Sequence, residues 1–192
     1  MQQSKEMIIS QENSIKSQSK RYAIRNHQEL IGTIEEDLTS SRDRVNLLLK
    51  GISLFSVTSM HLKILNQQDQ RIGMLKKNKG FSSIYEFISA DQSVYIIEAK
   101  ANFKQRKPSI TVSSQSRELF RGSAGFYVTW FEFTGETGKR ILTVEKTAAP
   151  FSLKELIIAP DVYRAIPADQ EAIDPALIAA LVLVIDIHFH ER

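Results

Sequence analysis

Asp174-Pro175-Ala176-Leu177-Ile178-Ala179-Ala180-Leu181-Val182-Leu183-Val184-Ile185 is the stretch that decides the fold. An Asp ahead of a helix accepts hydrogen bonds from its first free amides, and Pro suits the first helical position because no N–H is needed there. Ile173 and Ile178 are spaced to close a hydrophobic staple over that start. The Ala and Leu residues favour helix, while Val182, Val184 and Ile185 pull weakly towards strand. A helix from about residue 175 to 189 is roughly 22 Å long at ~1.5 Å per residue. That is short of the ~20 apolar residues a bilayer span requires. Being apolar on every side, it must be surrounded by protein.

The rest of the chain reads as strands. Arg21 to Arg25 and Leu30 to Ile34 are short candidates. Val45 to Lys50 and Ile52 to Met60 are β-rich around Gly51. His61 to Leu65 and Arg71 to Lys77 flank the polar turn Asn66-Gln67-Gln68-Asp69-Gln70. Ile84 to Ser89 and Val94 to Lys100 repeat that arrangement. Ser109 to Ser113 and Glu118 to Arg121 follow. Gly125 to Phe133 and Lys139 to Lys146 form a clear hairpin around Thr134-Gly135-Glu136-Thr137-Gly138. Glu155 to Ala159 and Asp161 to Ile166 complete the set, broken by Pro160 and Pro167. A helix with its side chains is ~10–12 Å across. Eight-stranded barrels fill themselves with their own side chains, so enclosing a helix takes a wider one. The packing argument therefore predicts a mainly β protein: a closed antiparallel β-barrel of about twelve strands enclosing the hydrophobic C-terminal α-helix.

The 192 residues suit one domain, residues 21–192, behind a polar leader, residues 1–20. The leader is rich in Gln, Ser and Lys, with Met7-Ile8-Ile9 its only apolar island, and reads as disordered. It lacks the apolar run of a signal peptide, so a cytoplasmic protein, at most peripheral to a membrane, is expected. Cysteine is absent, which excludes disulfides and thiolate chemistry. A net charge of +3 is too small to argue for nucleic acid without a localised patch.

The closing segment Leu183-Val184-Ile185-Asp186-Ile187-His188-Phe189, at the end of a β-rich chain, resembles the end of the phospholipid scramblases. The hairpin Met60-His61-Leu62-Lys63-Ile64-Leu65 to Arg71-Ile72-Gly73-Met74-Leu75-Lys76 is similar to an early strand pair of the same superfamily, with a Gly in its second strand. That superfamily also holds tubby C-terminal domains and LURP-one-related proteins. The resemblance covers residues from about 45 to the C-terminus. It implies a twelve-stranded barrel around a central helix, in agreement with the packing argument. Scramblases carry an acid-rich, calcium-associated segment before the helix. The matching stretch here, Ala159 to Ala165, has one Asp beside an Arg, and calcium wants six or more oxygen ligands. Tubby domains bind phosphoinositide headgroups through basic residues, but none of those positions carries over residue for residue.

Two basic clusters remain as candidates for a lipid- or anion-binding rim. Lys100, Lys104, Arg106 and Lys107 form the denser and acid-free one, with Phe103 inside it and Pro108 marking a loop. Lys76, Lys77 and Lys79 form the other, and for each cluster the simpler reading, a solvated rim near a strand end, is the favoured one. His188 and His190 are two apart on a helix and would chelate poorly, so they read as solvated residues at a fraying terminus. Asp186 is either a functional buried acid or an acid at the barrel mouth paired with a basic side chain. Gly122-Ser123-Ala124-Gly125 has the look of an active serine but is more simply a strand opening with small residues. No phosphate loop, HExxH or nucleophile elbow is present, and neither a cofactor nor a metal is expected. The function expected is that of a non-catalytic, tubby-like or LURP-one-like module holding an anionic phospholipid or a protein partner at the barrel rim. A scramblase-like, membrane-acting protein is the alternative.

Overall fold

The computed structural model describes residues 6–12, 21–37, 58–80, 82–102, 107–125, 128–147, 161–168 and 173–190. Twelve strands close into a barrel: β1 (Met7–Gln11), β2 (Arg21–Asn26), β3 (Glu29–Glu36), β4 (Met60–Asn66), β5 (Arg71–Lys77), β6 (Ile84–Ser89), β7 (Val94–Asn102), β8 (Lys107–Ser114), β9 (Arg117–Ala124), β10 (Trp130–Gly135), β11 (Arg140–Thr147) and β12 (Val162–Pro167). Each is antiparallel to its neighbour in the chain, and β1 pairs with β12 to close the ring. The helix α1 (Pro175–Ile185) lies inside. It ends in a π-helical turn, Asp186–His190.

Period-2 alternation turns one row of each strand onto the helix. Ile9, Tyr22, Ile34, Leu62, Ile64, Phe87, Ile97, Ile110, Val112, Phe133 and Leu142 are fully buried in this way. All residues from Ala176 to Ile185 are buried too, at roughly 1.5–3 kcal/mol for each large aliphatic side chain. Asp174 Oδ1 accepts from Ala176 N at 2.9 Å and fixes the helix start. Gly73 makes room for that start. A Cβ there would stand 2.6 Å from the Phe87 ring and 3.3 Å from the Ala176 methyl.

The helix begins beside Gly73, near the turn joining β4 to β5, and ends beside Tyr85, at the start of β6. This gives the barrel a lower rim, where the helix begins, and an upper rim, where it ends. The lower rim is joined by short connections, residues 27–28, 67–70, 90–93, 115–116 and 136–139. At the upper rim the gaps in sequence between consecutive strands are longer on the whole. Longer loops on a rigid scaffold are where binding residues concentrate.

The disordered-leader expectation is corrected at Met7–Gln11. That segment is a full strand, hydrogen-bonded on both sides, with Met7 and Ile9 in the core. The helix expected over about 175–189 runs from Pro175 to His190, its last turn from Asp186 being π-helical. The strand expected to open at Gly125 begins at Trp130, and Gly122-Ser123-Ala124 closes β9 rather than opening a strand. The strands expected within 45–57 and 155–159 lie outside the described residues.

Candidate functional site at the upper rim

The π-helical turn brings the chain's polar end against the barrel wall. Asp186 is fully buried, and Tyr22 and Tyr163 each donate a hydroxyl to its carboxylate, at 2.6 and 2.8 Å. Two phenols therefore hold the carboxylate for which a basic partner was expected. Burial, and next the charge of Asp186, hold both tyrosines well above the ordinary phenol range, so they stay neutral donors. His188 Nδ1 lies 3.3 Å from the Tyr85 hydroxyl, with the rings edge to face. Phe189 packs on Phe131 and His190 on Tyr163, at centroid distances of 5.2 and 6.0 Å. Burial, reinforced by the nearby Lys146 ammonium, pushes the His190 imidazole below its ordinary value. The two histidines are therefore packed against aromatic rings, not solvated at a fraying end. Among the described residues no group of three or more His, Cys, Asp and Glu is arranged to hold a metal ion. The Asp186 cluster is closed off from solvent, and its chemistry is that of a fastening.

Accessible chemistry lies around this fastening, on the rim. Lys100 is exposed near the end of β7, with its ammonium 2.9 Å from Glu98. Lys107 is exposed at the start of β8, across from Asn102. Lys104 and Arg106 lie outside the described residues, in the connection between those strands. Pro108 is not in that loop: it is buried within β8, opposite Ala101. The second basic cluster shares this end of the barrel. Lys76 points outward, 3.6 Å from Glu86, and Lys79 is exposed in the β5–β6 connection. Lys77 is the exception to the solvated reading. It is 2% exposed, and its ammonium donates to the carbonyls of Thr58, Asn78 and Gly80 at 3.2, 3.3 and 2.9 Å. Burial lowers it to about 8. Its strand parity shows this in the sequence, since Lys77 is in phase with the inward positions Gly73 and Leu75.

The strands β5 to β8 are consecutive in the ring, so Lys76 and Lys79 share one sector of the upper rim with Lys100 and Lys107. Ala99 N donates to Ser83 O at 2.8 Å, which ties the β5–β6 connection to β7. Ile84, between them, is 50% exposed. Sequence reasoning named the lysines and missed Ile84, whose outward parity was readable but whose place beside both clusters depends on the closed topology.

Comparison with protein-family models, with curated proteins and with solved structures finds no match to this chain. No helix among the described residues is long and apolar enough to cross a membrane, which says nothing of the strands.

Proposed function

We propose that this protein is a non-catalytic binding module of the tubby-like kind, and that its upper rim docks on anionic phospholipid headgroups. The observation that carries this reading is the meeting of Lys79, Lys100 and Lys107 with the exposed Ile84 in one sector of that rim. Cations around an apolar side chain suit a surface with negative headgroups above hydrocarbon. Lys104 and Arg106 add two cations to the connection between β7 and β8. Glu86 and Glu98 offset part of the charge, so the attraction is modest and salt-sensitive. The scramblase-like alternative gains no support from the helix, whose apolar surface is already spent on the barrel interior.

Each lysine near an anionic surface contributes about 1 kcal/mol, and the field decays over ~8–10 Å at ordinary ionic strength. Sedimentation with phosphatidylserine-containing liposomes should therefore retain the protein at low salt and release it at high salt. Neutral phosphatidylcholine liposomes should not retain it. Exchanging Lys100, Lys104, Arg106 and Lys107 together for Ser should abolish retention and leave the melting temperature almost unchanged. Indifference of the wild type to anionic liposomes at low salt would sink the proposal and leave a protein partner as the better reading.

A further inference from the structure

A second surface lies away from the basic sector. The outward faces of β10, β11 and β12 enclose a groove of about 570 Å³, lined by Trp130, Glu132, Arg140, Thr143, Glu145 and Ile166 with Pro167 and Ala168. The groove exists because the small Thr143 stands outward on the middle strand, directly beside Ile166 on β12 and Glu132 on β10. Trp130 is 45% exposed at its upper end. Glu145 is paired with it across the β10–β11 ladder, and Glu132 lies two residues along the same face of β10. Directly opposed residues stand ~4.5–5.5 Å apart, and residues two apart on one strand face ~6.5–7 Å apart. The indole leans over Gly125, where an added Cβ would stand 2.6 Å from its Nε1, so the ring lies on the β9 side of Trp130, with Glu145 across the ladder on the other side and Glu132 two positions along β10. Glu132 makes no ion pair among the described residues, and Glu145 has only a 3.9 Å contact with Arg164, which is itself held bidentately by Glu6.

A half-exposed indole with two carboxylates at neighbouring positions of the same sheet face suits a planar cation. A guanidinium stacks on Trp and presents paired N–H donors to carboxylates, which an ammonium matches less well. A closed barrel has no strand edge to extend, so a peptide cannot be captured here by adding a strand. It must be read through side chains lying in a groove. Arg140, exposed near the lower end of β11, gives the groove a polarity and places a cation where an acidic group on the ligand would sit. We infer that the β10–β12 groove binds an extended peptide segment through an arginine stacked on Trp130 between Glu132 and Glu145, with an acidic residue about four positions away facing Arg140.

Trp130 is the sole tryptophan of the chain, so intrinsic fluorescence reports on this groove alone. The probe is a capped seven-residue serine peptide with arginine at its second position and glutamate at its sixth. Its control has citrulline, an uncharged isostere, in place of arginine. Titrated into the full-length protein, the arginine peptide should change Trp130 fluorescence saturably. The citrulline peptide on the wild type, and the arginine peptide on the E132Q/E145Q variant, should each bind at least tenfold more weakly. The citrulline comparison uses unaltered protein, so it does not depend on how the variant folds. Absence of a saturable change with the arginine peptide overturns the inference. So does an equal response to citrulline, or an equal response from a folded E132Q/E145Q protein.

Discussion

Asp186 is a carboxylate that the helix carries into the interior, and its placement answers a problem the aliphatic residues cannot. An apolar cylinder in an apolar barrel has no strong preference for one rotation about its axis, because dispersion and burial are nearly non-directional. Two phenol donors from β2 and β12 fix one face of the turn, and Tyr85 meets His188 from β6. Leaving a buried carboxylate unsatisfied would cost several kcal/mol, so rotations that break these contacts are excluded. His190 belongs to the same turn and gives the cluster a pH dependence. Its imidazole is held below the ordinary 6.5. Between the folded value and 6.5 the unfolded chain binds the extra proton, so stability falls as the pH drops through that window. Urea unfolding at pH 7.5, 6.5 and 5.5 should show the wild type losing more stability than H190Q across that range. Parallel losses in the two proteins would place the acid sensitivity elsewhere. At Lys77 the sign is the same in a different window. The folded value of about 8 lies below 10.5, so this residue adds stability as pH rises between them, until the buried tyrosines oppose it above 10.

At the scale of elements, β1 shows what short patterns conceal. Met7, Ile9 and the outward Ile8 and Ser10 make an alternation of five residues at most, within a polar segment that reads as a disordered leader. What makes it a strand is distant. It fills the gap between β2 and β12, and Arg164 on β12 pairs with Glu6 just ahead of it at 2.6 Å. The helix, by contrast, was legible because its signals are local: a capping Asp, a Pro at the first position and an unbroken apolar run. Its π-helical end was not, because Tyr22 stands 164 residues from the acid it binds. The basic sector was legible as two separate runs of lysine. Their adjacency, and the inward turn of Lys77 among carbonyls, came only with the closed topology. Deleting residues 1–11 should expose the facing edges of β2 and β12 and uncover the helix between them. The expected result is loss of cooperative thermal unfolding with aggregation, since unpaired strand edges recruit other chains. A truncated protein that melts like the full chain would show β1 to be dispensable.

For the whole molecule, barrel and helix are one solution to a single packing problem. Twelve strands in simple up-and-down order leave no free edge, and the width they enclose is too great for the wall's side chains alone. The helix fills that space, and the barrel in turn is the surrounding that an all-apolar helix needs. The two surfaces proposed for binding lie on the outside: the basic sector of the upper rim, and the groove beside Trp130. The central claim is that α1 is the core of a folded domain, and the thermal unfolding of L181D tests it most directly. Leu181 is fully buried at mid-helix, and a carboxylate there would have no partner. The cost of several kcal/mol compares with ~5–15 kcal/mol of stability for a typical domain. The account predicts that L181D yields no cooperative melting transition and no soluble folded protein. A soluble L181D protein that unfolds cooperatively near the wild-type temperature would contradict it.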